Sequence, residues 1–298
     1  MTVVVEKESL PKEEAGTLSR ISIRSLRQLL KTTPGKIALA GAILSIGSVI
    51  AVALAPVLAP ADPNREFALL QPPTLTHLFG TDFLGRDIFT LTLYGGEIPL
   101  LVGALSTLVS GAVGVTLGLV FGYRGGSSEK GMTVVMDSLY AFPGLILAML
   151  LTAVLGASIV NTSLAVSFVF IPAFFRTIRS NVVTVKQMPY VEAAICLGAK
   201  QRTVLYRYML PNVLPSIPIL ASFTFGFAIL TQSALSFLGI GFPLTVPDWG
   251  TMLDYGREYV LGGQWWVVFF PGVAIMIAVL GFSLLGEGIQ EIYNPATN

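Results

Sequence analysis

Few side chains in this sequence could take part in chemistry. It has one histidine, His77, and one cysteine, Cys196. A single cysteine excludes an intrachain disulfide and a multi-cysteine metal site, and a single histidine argues against a zinc or copper site built from imidazoles. The one Gly-Lys pair, Gly35-Lys36, is followed by Ile37 and lacks the earlier glycine of a phosphate-binding loop. We therefore expect no catalytic residues, no metal site and no cofactor bound by this chain.

Residues 191–211, VEAAICLGAKQRTVLYRYMLP, form a charged segment between two long charge-free runs. The first half is a small-residue run that begins at Glu192 and is interrupted by Gly198. The second half repeats apolar residues at the spacing of an amphipathic helix, and Pro211 ends that pattern. Its apolar positions are Val204, Leu205, Tyr208 and Met209. The pattern predicts two short helices joined by a glycine bend.

This segment has two interpretations. Small side chains would let another protein approach closely, so a short rigid element there could pass a partner's motion to the membrane helices. The alternative is an interfacial helix that merely links two spans. The residue pattern alone favours neither.

The composition identifies the elements that must position this segment. Hydrophobic residues make up 53% of the chain and charged residues 12%, with a mean hydropathy of +0.75. A soluble domain is typically about 25% charged. The chain is therefore predicted to be an all-α polytopic membrane protein.

A transmembrane helix needs about 20 mostly apolar residues, and the charge-free runs predict six of them. The first run follows a lead longer than that of a secretory signal, so we expect a retained anchor, with a cleaved signal peptide as the alternative. The predicted spans are 37–61, 98–123, two within 138–175 that divide near 156–161, 213–238 and 259–286.

The distribution of Lys and Arg predicts the orientation. Segments 1–36, 124–131 and 176–207 hold fifteen of the 18 basic residues. Basic residues in short loops favour the cytoplasm, so both termini and residues 191–211 are predicted to be cytoplasmic.

These predictions divide the chain into five parts. The tail carries a basic amphipathic segment, with Arg20, Arg24, Arg27 and Lys31 at helical spacing, which suits either a helix on the inner leaflet or a solvated tail. The parts are a cytoplasmic tail 1–36, a first transmembrane anchor 37–61, an external loop 62–97, a five-helix core 98–286 with a cytoplasmic loop 187–211, and a cytoplasmic carboxyl terminus 287–298.

The spans offer little support for coupling to an ion gradient. Ion-coupled carriers usually bury an ionisable residue in mid-span, whereas Glu97 and Asp137 lie at span edges. Coupling to Na⁺ through backbone carbonyls stays open, as does a membrane scaffold that transports nothing. An intramembrane hydrolase would need a base at membrane depth, and His77 is predicted to be external. Any energy for transport is expected from a cytoplasmic partner.

Two features within the spans suggest packing and a pathway. Gly111, Gly114, Gly118 and Gly122 are spaced about four apart, which predicts close helix packing, within the chain rather than at a dimer seam. Near the outer half of span 213–238, three polar residues would line a pathway if they faced inward. They are Thr231, Gln232 and Ser233.

The charged segment also resembles a known motif. Glu192-Ala193-Ala194, then Gly198, and then Leu210-Pro211 resemble the EAA motif of bacterial and archaeal ABC importer permeases. Other stretches resemble the dipeptide/oligopeptide/nickel branch, and within it the C-type permease subunit. They are HLFGTDFLGRDIFTLTLYG (77–95), GYRGG (122–126), DSLYAFPGLILA (137–148), ALSFLGIGFPLTVPDWGTML (234–253) and WWVVFFPG (265–272).

The resemblance implies a type I ABC importer permease fold with six transmembrane helices in the inner membrane. It implies that the EAA residues contact a cytoplasmic ATPase, and that two such ATPases use ATP and Mg²⁺. It further implies a second homologous permease subunit and an external solute-binding protein, and no nucleic acid. The implied cargo is a di- or oligopeptide, with nickel chelates, glutathione-like peptides or oligosaccharides as alternatives.

An external cluster has a functional and a structural interpretation. Asp82, Arg86 and Asp87 suit contact with a receptor or an outer gate, and the resemblance places Trp249 at the same outer gate. The alternative is a turn-rich cap whose charges pair with each other, with Gly80 and Gly85 serving backbone geometry. We favour this cap over a direct role with substrate.

Overall fold

The computed structural model describes residues 32–293, and within that range the chain is helical with only two isolated β-bridges. The predicted basic tail segment lies outside these residues. The helices are α1 Thr33–Ala53, α2 Ala55–Leu58, α3 Ile88–Tyr94, α4 Glu97–Arg124, α5 Gly126–Tyr140, α6 Gly144–Leu155, α7 Ile159–Lys186, α8 Pro189–Cys196, α9 Gln201–Thr203, a π-helical turn Val204–Met209, α10 Leu210–Val213, α11 Ser216–Phe237, α12 Trp249–Val260 and α13 Trp266–Tyr293.

Five helical segments are long and apolar enough to cross a membrane. They are 33–53, 88–124, 159–186, 216–237 and 266–293. A sixth is present if the bent pair α5–α6 counts as one span. The chain is thus an all-α, multi-pass membrane protein, and the predicted count of six holds only with that broken span.

The third span differs from its prediction, which placed a continuous helix from residue 138 towards residue 156. Helix α5 ends at Tyr140, α6 begins at Gly144, and the two are bent by 86°. Pro143 precedes α6 with φ −57° and ψ 119°, a non-helical conformation that separates the two helices. With 12 residues, α6 is about 18 Å long, less than the roughly 30 Å of a hydrocarbon core.

Other boundaries shift for local reasons. Helix α1 begins at Thr33 instead of residue 37, because Pro34 is tolerated in a first turn and Thr32 accepts a hydrogen bond from the Gly35 amide at 3.2 Å. The last span begins at Trp266 instead of residue 259, because a turn with Gly263 at φ +90° separates it from α12.

Small residues allow close packing between α4 and α7. A Cβ added at Gly114 would lie 2.5 Å from the Cβ of Phe174, and one at Gly118 would lie 2.8 Å from the Cβ of Ile178. The glycine series of α4 therefore packs within the chain, as predicted. Helices α1 and α13 approach each other similarly at Gly281, where an added Cβ would meet the Ser45 amide at 2.6 Å.

The helix directions define two ends of the bundle. Helices α4 and α7 run parallel and end at Arg124 and Lys186, near the start of α11 at Ser216. We call this the basic end. The opposite end holds α3 and α12 and the loops that join them to the spans.

Candidate functional site

At the basic end, α8 is the helix that contains the EAA sequence. Pro189 stands in its first turn, where a missing N–H costs nothing, and Glu192 lies near the positive end of the helix dipole. Val191 and Ala194 are buried, whereas Glu192 and Ala193 are exposed. One side of α8 therefore rests on the protein and the other is free.

Gly198 ends α8 in a Schellman motif. Its φ of +82° is left-handed, its amide donates to the Ile195 carbonyl at 2.9 Å, and the Ala199 amide donates to the Ala194 carbonyl at 3.0 Å. No atom lies within 4 Å of an added Cβ. Glycine is thus required here by backbone conformation and not by space. This is the predicted glycine bend.

The second half of the segment is helical but irregular. Short α9 leads into the π-helical turn Val204–Met209, and Leu210-Pro211 opens α10. Pro211 has no N–H and its ring crowds the preceding turn, which the wider π-helical turn accommodates.

A buried apolar cluster seats both halves on the membrane helices. Val191 of α8 packs with Ile178 and Val182 of α7, and partly buried Leu119 and Tyr123 of α4 join them. The other buried members are Val204 and Met209 of the second half and Val213 directly after the segment. A displacement of α8 would therefore act directly on α4 and α7.

The exposed side of this segment carries apolar residues that the sequence reasoning missed. Leu197, beside Gly198, is 89% exposed, and Ile195 and Tyr206 are exposed as well. Exposed apolar residues beside polar ones mark surfaces that bind proteins. In the sequence, this exposed apolar surface is indicated by the leucine that stands directly before the helix-ending glycine.

At the opposite end, the predicted outer cluster is paired within the chain. The Arg86 Nε donates to the Asp82 Oδ2 at 2.8 Å, and the Arg86 Nη1 donates to the Leu244 carbonyl at 2.8 Å. Asp87 caps α3 by accepting from the Thr90 amide at 2.8 Å. All three charged residues are buried. This geometry matches the self-paired cap, with Gly80 and Gly85 at positive φ.

Trp249 links this cap to α12. It is buried, and its Nε1 donates to the Thr92 carbonyl at 2.7 Å. Arg86 and Trp249 therefore tie the loop before α12, and α12 itself, to residues 82–92.

The three residues that were predicted to line the pathway differ in how deeply they are buried. Thr231 is half-buried and donates to the Phe227 carbonyl, whereas Gln232 and Ser233 are buried inside the chain. Gln232 Nε2 donates to the Asp248 Oδ1 at 3.0 Å. Gln232 Oε1 and Ser233 Oγ have no hydrogen-bond partner among residues 32–293.

Asp248 is a functional candidate that the sequence reasoning missed. It caps α12 by accepting from the Thr251 amide at 3.0 Å, and it lies between α11 and α12, outside the membrane-spanning helices. Burial raises the pKa of its carboxyl above the usual 3.8, although hydrogen bonds from Thr251, Ser236 and Gln232 oppose the shift. An aspartate directly before a helix is a recognisable capping signal.

The described residues hold no group of three or more His, Cys, Asp or Glu side chains that could bind a metal ion. The geometry suits contact with other proteins and movement of helices.

Comparison with known proteins agrees with this geometry. Residues 114–298 match the family described as binding-protein-dependent transport system inner membrane component. The chain is similar to the dipeptide transport system permease protein DppC of Alkalihalophilus pseudofirmus, with 35% identity over 97% of this chain and 95% of that protein.

Two further relatives are similar over most of their length. The glutathione transport system permease protein GsiD of Pectobacterium atrosepticum is 39% identical over 80% of both chains. The probable D,D-dipeptide transport system permease protein DdpC of Escherichia coli is 36% identical over 93% of both chains. The chain belongs to the family of inner membrane components of binding-protein-dependent transport systems, and it is a transmembrane permease subunit of an ABC importer.

Proposed function

We propose that this permease imports di- or oligopeptides and that α8 is the element through which a cytoplasmic ATPase drives it. The observation that carries the proposal is the seating of α8. Its buried residues pack on α4 and α7, and its exposed residues end at the left-handed Gly198. The relatives whose names refer to dipeptides and glutathione support peptide cargo. Nickel chelates and oligosaccharides are the alternatives.

The proposed coupling surface consists of Glu192, Ala193, Ala194, Gly198, Leu210 and Pro211. The first members form the exposed helix and its end, Ala194 is buried, Leu210 packs against the buried cluster, and Pro211 is exposed. Leu197 extends the surface, because a large exposed apolar side chain gains most from burial in a partner.

The proposed assembly contains this chain, a second homologous permease, two ATPases that use ATP and Mg²⁺, and an external solute-binding protein. Both termini are proposed to lie in the cytoplasm, because segments 1–36, 124–131 and 176–207 hold fifteen of the 18 basic residues and basic loops favour that side. ATP-driven motion of α8 would rock the spans between outward and inward states.

The external cap is proposed as the outer gate. In the described conformation α12 is held against α11 by the Gln232–Asp248 bond and against α3 by Trp249. Separation of α12 from α11 would expose Thr231, Gln232 and Ser233 to the pathway. Cysteine labelling at Gln232→Cys from outside should then depend on the ATP state, and an absence of labelling in every state would contradict the gate.

The transport proposal is tested in vesicles that contain the reconstituted complex. Uptake of radiolabelled trialanine should require ATP and the binding protein and should resist ionophores. A secondary carrier predicts uptake that ionophores abolish and that persists without ATP. A non-transporting scaffold predicts that no ATPase co-purifies in stoichiometric amount and that no uptake occurs.

A further inference from the structure

A cavity of about 650 Å³, lined by both apolar and polar residues, opens at the basic end between α7, α11 and α13. It borders the end of the coupling segment, because Asn212 of α10 and Pro215 line it. Its volume falls within the range of about 300–1,000 Å³ that is typical of small-molecule sites. The pathway candidates of α11 lie near the opposite end of that helix, so the cavity is a separate feature.

Among residues 32–293, hydroxyls and amides, and no charged side chain, supply the polar lining of this cavity. The polar lining residues are Thr177, Asn181, Thr184, Asn212, Ser216, Gln290 and Tyr293, and the others, such as Leu220 and Phe223, are apolar. Such groups donate and accept hydrogen bonds without holding an ion strongly.

The cavity wall lacks charged side chains although the adjoining part of α7 carries several cationic residues. Each of these cations binds a partner away from the cavity. Arg176 Nη2 donates to the Asp137 Oδ1 at 2.6 Å, Arg179 Nε donates to the Glu129 Oε1 at 2.6 Å, and Lys186 Nζ donates to the Tyr123 carbonyl. The inner half of α7 thus has a cationic face tied to α4 and α5 and a neutral face towards the cavity.

One hydrogen-bonded chain joins the neutral face to the coupling segment. Asn181 Nδ2 donates to the Ser216 Oγ at 3.1 Å, and Ser216 Oγ donates to the Val213 carbonyl at 2.7 Å. Val213 ends α10 and belongs to the buried cluster that seats α8. Movement of the coupling segment would therefore change the spacing between α7 and α11 at the cavity wall.

We propose that this cavity is the cytoplasmic-side chamber through which the transported solute leaves, and that Thr177 and Asn181 contact it. The inference rests on the proposed peptide import. A peptide backbone offers one donor and one acceptor for most residues, which the neutral wall can match. A charged wall would hold or repel peptides according to their side chains, whereas a neutral wall releases them with little discrimination.

The test places a negative charge on the cavity wall and measures the relative uptake of two peptides that differ in charge. Thr177→Asp and Asn181→Asp are compared with the matched control Ser180→Asp, on an exposed position of the same helix turn that does not line the cavity. The measurement is ATP-driven uptake of Ala-Asp-Ala and Ala-Lys-Ala by the reconstituted complex. Uptake of Ala-Asp-Ala should fall about fivefold relative to Ala-Lys-Ala in both cavity variants, the effect of one like-charge pair at 4 Å in water. The control should keep the wild-type ratio.

The chamber proposal would be refuted if the uptake ratio of the two peptides stayed at the wild-type value in both cavity variants. It would also be refuted if the ratio shifted equally in the control. If one variant fails to assemble, the other decides the result, because Thr177 has no part in the Asn181–Ser216 bond. Failure of the proposed function would give a different result. The wild-type complex would take up neither peptide, and the chamber proposal, which rests on peptide import, would be refuted as well.

Discussion

The Ala199 amide donates a hydrogen bond to the Ala194 carbonyl at 3.0 Å across Gly198, whose φ is +82°. This bond closes the end of α8 and sets the direction in which the chain leaves it. The buried Ala194 and the exposed Leu197 are thereby fixed relative to each other at the end of one short element.

Gly198→Asp should impair ATPase binding while the chain still inserts into the membrane. A side chain at a left-handed position costs about 1–2 kcal/mol, and the closing bond would be strained or lost. Gly131→Asp is the matched control, because Gly131 lies in α5 with no atom within 4 Å of an added Cβ and no positive φ. The measurement is co-purification of the ATPase. Normal transport by the Gly198 variant would refute the role of this bend.

Leu197→Ser should weaken ATPase binding without changing the stability of the isolated permease. An exposed leucine contributes little to folding, whereas burial in a partner is worth about 1.5–3 kcal/mol. Leu261→Ser is the control, since Leu261 is 98% exposed at the opposite end. The ATPase dissociation constant should rise by at least about tenfold for Leu197→Ser alone. Equal effects of the two substitutions would show that the contact is not local to α8.

Arg86→Ala should destabilise the external cap. It removes the partner of the buried Asp82 and the donor to the Leu244 carbonyl, and breaking a buried pair costs about 3–5 kcal/mol. Arg257→Ala breaks the ion pair with Asp254, in which the Arg257 side chain is 56% exposed, and should cost less than about 1 kcal/mol. Thermal unfolding in detergent compares the two, and similar midpoints would contradict the buried pairing.

Asp248→Ala should lower the stability of the junction between α11 and α12. The change removes a helix cap worth about 1 kcal/mol and one of the two acceptors of the buried Gln232 amide, at about 1 kcal/mol more, while the bond from Gln232 Nε2 to the Ser236 Oγ remains. Asp248→Asn keeps most of the shape and should lie between the wild type and the alanine variant. Thermal unfolding provides the measurement, and an alanine variant as stable as the wild type would rule out the clamp.

Asp248 should also make stability depend on pH. Because burial raises the pKa in the folded state, the folded protein holds this proton to higher pH than the unfolded chain. The stabilising contribution is complete below the usual pKa of 3.8 and is lost as pH rises through the raised value. Asp248→Asn should remove this part of the pH profile, whereas Asp254→Asn on the same helix should retain it. Identical profiles for the wild type and Asp248→Asn would contradict the assignment.

Local signals in the sequence predicted much of this architecture. Charge-free runs located the membrane helices, and the glycine series of α4 predicted its packing on α7. The two helices around Gly198 were also predictable, because helix periodicity and a helix-ending glycine are both local.

The sequence did not predict changes in the direction of the chain or contacts between residues that are far apart in the sequence. Hydropathy reports that residues 138–175 are apolar but not that the chain turns by 86° near Pro143. The Gln232–Asp248 bond joins residues 16 positions apart, and Arg86 reaches the Leu244 carbonyl from 158 positions away. No periodicity in the sequence encodes such pairs, so the buried state of the outer cluster was visible only in the fold.

The central claim is that α8 docks on the ATPase, and a native cysteine of the chain can be labelled to test it. Cys196 is the single cysteine and is exposed on α8, directly before Leu197. A maleimide that carries a photoreactive group, attached to Cys196 and irradiated in the assembled complex, should link Cys196 to the ATPase, and maleimide labelling of Cys196 should be slower with the ATPases than after their removal. Labelling at the same rate in both states, with no product that joins the two chains, would contradict the account.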